Sequence, residues 1–194
     1  MIRKAVSSFV AIAAFAGLAS TAAANDYTDA IQKMVDSDMR NWTQSEQVVA
    51  AVKEQNKKSA NLSQSDIDSQ DKKWRAETAG GDQSMINSVL GNSLSAYLKD
   101  VKNNAQGLYT EIFVMDMKGL NVGQSDVTSD YWQGDEAKWQ KTYGVGPSAV
   151  LIDEVEFDDS SQTYQSQVSL AVVDPDTNQP IGAVTIGVNV EMLE

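Results

Sequence analysis

The end of the chain alternates. In TYQSQVSLAVVD, residues 163–174, Val168, Leu170 and Val172 stand between Gln167, Ser169 and Ala171. In IGAVTIGVNVEM, residues 181–192, Val184, Ile186, Val188, Val190 and Met192 stand between Ala183, Thr185, Gly187 and Asn189. A period of two sends each set to its own side of a strand. Joined by the turn-forming PDTNQP, the segments read as an antiparallel pair with one thickly apolar face and one small, polar face. The apolar face must be covered, at roughly 25 cal/mol of stabilisation per Å2 buried. The other face leaves volume and offers hydrogen-bonding groups. It is either an ordinary solvated face or the floor of a ligand site.

The cover comes from the first half. Residues 27 to about 59 carry Ile31, Met34, Val35, Met39, Trp42, Val48, Val49 and Val52 near the spacing of one helical face, which predicts a long helix capped by Asn25 or Asp26. A second helix starts at Ser63, with Asp66 three residues on completing a capping box and Leu62 facing Ile67 as a staple. Ile67, Asp71 and Trp74 share one of its faces. A third helix, capped by Asp82, carries Ile86, Val89, Leu90, Leu94, Tyr97, Leu98 and Val101 and ends at Asn103-Asn104. Then LYTEIFVMDMKGLNVGQSD reads as strand, Lys118-Gly119 turn and strand, and AVLIDEVEFDD as a third strand. Helices followed by antiparallel strands make an α+β layout.

Between the second and third strands lies SDYWQGDEAKWQKTY, residues 129–143, with two of the chain's four tryptophans and almost no aliphatic residue. A short helix starting near Tyr131, capped by Thr128, Ser129 or Asp130, would put Trp132, Glu136, Trp139 and Tyr143 on one face. Folded over the small, polar side of the sheet, these rings and the carboxylate would roof a pocket. Alternatively they plug a satellite core.

Composition narrows the chemistry. The chain has no cysteine and no histidine, which removes thiol nucleophiles, Cys- and His-ligated metals and a Ser-His-Asp triad. The expectation is a non-enzymatic protein without a cofactor. Arg3 and Lys4, an apolar run from Val6 to Ala19 and Ala22-Ala23-Ala24 read as a signal peptide over residues 1–24, leaving one domain over 25–194 and a periplasmic location. Cleavage takes the basic count from 15 to 13 against 27 acids, so the exported chain carries about −14 and is a poor partner for nucleic acid.

The ordered set VMDMKGLNV, SDYWQGDEAKW and VLIDEVEFDDSSQTYQSQVSLAVVDPDTNQPIGAVTIGV resembles the single-module Cache family of extracellular, PAS-like sensor domains, over nearly all of residues 25–194. The resemblance implies long N-terminal helices packed on a five-stranded antiparallel PAS-like sheet. It also implies binding of a small metabolite (an organic acid, amino acid or amine) for signal transduction or chemotaxis. Carried to matching positions, the site consists of Tyr131, Trp132, Trp139, Asp153, Gln167 and Ser169, with Met115 and Thr185 as floor. Family members typically sit between two membrane helices and feed an output module. This chain stops at Glu194, just after the last strand. The expectation is therefore a free binding component acting through a membrane receptor or kinase, with a homodimer through the first helix. The alternative is a ligand-free interaction module that docks on a membrane receptor.

Two acidic stretches need separate readings. DPDTNQ spaces Asp174, Asp176 and Asn178 like a calcium loop, but Gln179 and Thr185 stand where that loop needs Gly and Glu, so a hairpin turn is expected. In DEVEFDD, alternation sends Glu154, Glu156 and Asp158 to a solvated side and singles out Asp153, beside Leu151, Val155 and Phe157, as a carboxylate that could meet a ligand amine.

Overall fold

The computed structural model describes residues 25–193. The proposed signal peptide lies outside them. Helices α1 (Thr28–Met34), α2 (Arg40–Thr43), α3 (Glu46–Ser59), α4 (Gln64–Thr78), α5 (Ser84–Leu90) and α6 (Ser93–Asn104) precede strands β1 (Tyr109–Met115) and β2 (Asn121–Gln124). A short α7 (Ala137–Gln140) follows, then β3 (Val150–Asp158), β4 (Thr163–Asp174) and β5 (Gln179–Asn189). The strands form one antiparallel sheet in the order β2-β1-β5-β4-β3. This is the expected α+β, PAS-like architecture.

The register follows the alternation. Val168, Leu170 and Val172 of β4 and Val184, Ile186 and Val188 of β5 join Ile31, Val35, Met39, Val48, Val52 and Leu98 in the main core, so the apolar face lies under the helices. Met192 departs from the pattern. β5 ends at Asn189, whose side chain accepts the Glu191 N–H at 3.0 Å and turns the chain into a 3-10 turn, leaving Met192 exposed.

The long first helix is interrupted. A π-helical turn, Val35–Met39, links α1 to α2, and the helix then breaks at Gln44-Ser45. The Gln44 amide explains the break: its Nε2 donates to Ala171 O at 2.9 Å and its Oε1 accepts from Val173 N at 2.8 Å, pairing with β4 where the β4–β5 register shifts. The capping box on α4 forms as read, with Ser63 and Asp66 bonded reciprocally. The third helix divides at Gly91-Asn92, because Asn92 caps α6 by accepting from Ser95 N at 2.8 Å and donates to Val122 O at 2.8 Å. Asp82 does not cap α5. The buried Glu77 carboxylate of α4 takes that place, accepting from Met85 N and Ile86 N at 2.9 Å each.

The Asp174–Gln179 segment is a hairpin turn, with those two residues paired. The Lys53 ammonium stands 2.6 Å from Asp174 and 3.3 Å from Asp176.

Candidate functional site

The second face of the sheet divides into a dry end and a wet end. At the dry end, Phe113, Met115 and Ala183 pack with Trp139 and Tyr143, whose rings stack at 4.8 Å. Ser169 and Thr185 are buried there and share a hydrogen bond of 2.9 Å. At the wet end, Glu111 of β1 lies beside Gln165 and Gln167 of β4, whose Nε2 groups donate to its Oε1 at 3.3 and 2.9 Å.

Above the wet end lies a cavity of about 560 Å3, within the size range of small-molecule sites. Its floor is Glu111, Phe113, Gln165 and Gln167; one wall is Val127–Asp130, Gln133 and Glu136–Lys138; the other is Asp153, Glu154, Glu156, Phe157, Asp158 and Ser160. Seven of these residues are carboxylates: Glu111, Asp130, Glu136, Asp153, Glu154, Glu156 and Asp158. Lys138 is the single cationic side chain in the lining.

A β-bulge builds the acidic wall. Ile152 pairs with Val168 and Val155 with Ser166, so Asp153 and Glu154 together oppose Gln167. A bulge re-aims side chains, and here it overrides strict alternation: Glu154, Glu156 and Asp158 line the cavity along with Asp153. The bulge is pinned from behind, where the Asp153 carbonyl accepts from Asn25 Nδ2 and Ser166 Oγ, each at 2.7 Å. Burial alone would raise the Asp158 carboxyl, but hydrogen bonds from Ser161 and Ser160 hold it below its ordinary value. It therefore stays charged at neutral pH.

The opposite wall is held by its aromatic rings. No helix starts near Tyr131; residues 131–133 run alongside the β1–β2 turn, with Leu120 bridged to Trp132 and Gln133 N donating to Gly119 O at 2.8 Å. This pairing replaces the expected helix, and only α7 forms further on, so Trp132, Glu136, Trp139 and Tyr143 do not share one helical face. Tyr131 stacks on the fully buried Trp74 at 5.5 Å and, with Trp132, joins a second core containing Ile67, Ile86 and Leu120. The Trp132 indole donates to Lys118 O at 2.8 Å, and the Trp139 indole to Asp116 O at 3.0 Å. Asp71 of α4 accepts from Tyr131 N and Trp132 N at 3.0 and 3.1 Å, Trp74 Nε1 donates to Thr128 O at 2.8 Å, and Arg75 pairs with Asp130 at 2.8 Å.

Of the eight residues named from the sequence, Asp153 and Gln167 line the cavity. Tyr131 and Trp132 sit in the second core, while Trp139, Met115, Ser169 and Thr185 belong to the dry end. The rings act as a satellite core that fixes the wall in place. Glu111, Glu136, Lys138, Glu154, Glu156 and Gln165 complete the lining. The alternation of Glu111, Phe113 and Met115 in YTEIFVM was the available signal for the floor. Among the described residues, no group of three His, Cys, Asp or Glu side chains is arranged to hold a metal ion, and no helix is long and apolar enough to cross a membrane.

No protein-family model matches the chain, and no curated protein matches it in sequence. Solved structures resemble it in fold alone. The sensor domain of the V. cholerae histidine kinase DctB superposes with a TM-score of 0.47 at 12% identity, covering 86% of this chain and 53% of that one. The sensory domain of the Campylobacter jejuni chemoreceptor Tlp3 gives 0.41 at 15% identity, covering 87% and 60%. The Tlp3 ligand-binding domain in complex with 4-methylisoleucine gives 0.40 at 14%, covering 79% and 64%. The chain spans about half the length of the DctB domain.

Proposed function

We propose that this chain is a Cache-type binding domain of the periplasm that takes up a small organic cation bearing ammonium groups and reports it to a membrane receptor or kinase. The observation that carries the binding part is the charge of the cavity: seven carboxylates and one ammonium line it. Among an organic acid, an amino acid and an amine, this lining repels the first and favours the last. At an effective dielectric near 20, two unit charges 4 Å apart interact by about 4 kcal/mol, so the sign of the lining dominates selection. The sensory part and the export rest on the sequence resemblance and the basic-apolar-small start of the chain.

The role is binding rather than catalysis. The sequence offers neither histidine nor cysteine as nucleophile or base. A pocket with walls tied down by hydrogen bonds also binds without a large ordering cost.

Calorimetric titration at low salt tests this. 1,4-Diaminobutane is expected to bind and succinate is not, and binding should weaken as sodium chloride screens the lining. Binding of succinate with no binding of the diamine contradicts the proposal.

A further inference from the structure

Lys138 enters the cavity instead of avoiding it. A lysine at the rim of a pocket normally extends its ammonium into water. This side chain is only 15% exposed; its Nζ stands 2.9 Å from Glu136 Oε2 and 5.4 Å from the centroid of the Phe113 ring. Glu136, Phe113 and Lys138 all line the cavity. A carboxylate on one side and a ring face on another make a niche for an alkylammonium, and the chain's own butylammonium fills it.

We infer that the Glu136–Phe113 niche is the ammonium subsite of the ligand and that Lys138 is a tethered competitor that sets the affinity and the threshold of the site. This rests on the cation reading of the cavity. A ligand amine takes the niche only when Lys138 swings out, so the apparent dissociation constant is the intrinsic one divided by the fraction of molecules with the niche empty. A tethered group competes at an effective concentration in the millimolar range, which makes the site blind to trace amines and responsive to higher levels.

Replacing Lys138 by methionine keeps a helix-forming residue and an apolar stem over Phe113 while removing the charge. Lys138→Met is expected to tighten 1,4-diaminobutane about five- to tenfold by calorimetry. Lys141→Met makes the same change in net charge three residues away, at an exposed position outside the lining, and is expected to change affinity less than twofold. Adding Glu136→Gln to Lys138→Met should abolish the gain.

The outcomes separate the two claims. If the wild type binds the diamine and Lys138→Met binds it no more tightly, or Lys141→Met gives the same gain, the tethered-competitor inference is overturned and the binding reading stands. Loss of binding in Lys138→Met, in favour of a role holding a ligand carboxylate, overturns it as well. If neither wild type nor Lys138→Met binds any diamine, the cation reading of the cavity fails and the inference fails with it.

Discussion

Replacing Trp139 separates a fixed wall from a mobile flap. The indole packs on Phe113, Met115 and Ala183, stacks on Tyr143, and donates to the carbonyl of the fully buried Asp116. Truncating a buried tryptophan to alanine costs about 3–5 kcal/mol. Trp139 is partly buried, so packing alone amounts to about 2–3 kcal/mol, and the carbonyl left without its donor adds roughly 1 kcal/mol. Trp139→Ala should therefore lose about 3–4 kcal/mol in urea unfolding followed by far-UV circular dichroism. For a chain of this size that is on the order of 10 °C in melting temperature. Trp139→Phe keeps the stack and loses the hydrogen bond, so it should cost about 1 kcal/mol. Losses below about 1 kcal/mol for alanine, with none for phenylalanine, would mean that the ring swings freely over the sheet and that the wall is not preformed.

Two further substitutions probe the same corner. Asp116 is buried, and its Oδ1 accepts from Lys118 N and Leu120 N at 2.8 and 3.0 Å; burial pushes its carboxyl above the ordinary 3.8 despite those bonds and a contact with Ser59. A carboxyl raised in the folded state contributes its full stability below its unfolded pKa and loses it as pH rises through the folded value. Asp116→Asn keeps the acceptor and removes the charge, so its stability relative to the wild type should climb with pH above about 4, as measured by urea unfolding at several pH values; a flat or falling difference would contradict the burial argument. Gly119 has φ of 81°, and a Cβ there would lie 2.5 Å from Gly134 Cα. Gly119→Ala should cost about 1–3 kcal/mol and speed hydrogen exchange at Gln133 N–H, which bonds to Gly119 O; unchanged exchange would show that the wall does not rest on this turn.

The alternation of β4 and β5 made the sheet, its buried face and its register legible, because a face against helices tolerates only one phase. The helix breaks were less visible. The five residues without an apolar side chain between Trp42 and Val48, in an otherwise regular stripe, marked the first, but its cause, Gln44 pairing with β4, is a contact between residues more than 120 positions apart. Asn92, a residue that favours caps, marked the second. The candidate site was harder to read, for two physical reasons. A β-bulge adds one residue and reverses the side on which later residues fall, and DEVEFDD carries no glycine or proline to announce it. The aromatic segment contains strong hydrogen-bond donors in its indoles, and the nearby turn carbonyls of Asp116 and Lys118 capture them. No local pattern distinguishes an indole bound for a ligand from one bound for a backbone oxygen.

The most direct test of the central claim is a crystal structure of the protein grown with 1,4-diaminobutane at low salt. The account predicts the diamine between the β3 bulge at Asp153-Glu154 and the Glu136–Phe113 niche, with the aromatic wall unmoved. A cavity that stays free of the diamine at saturating concentration, or a diamine bound elsewhere on the surface, would contradict it.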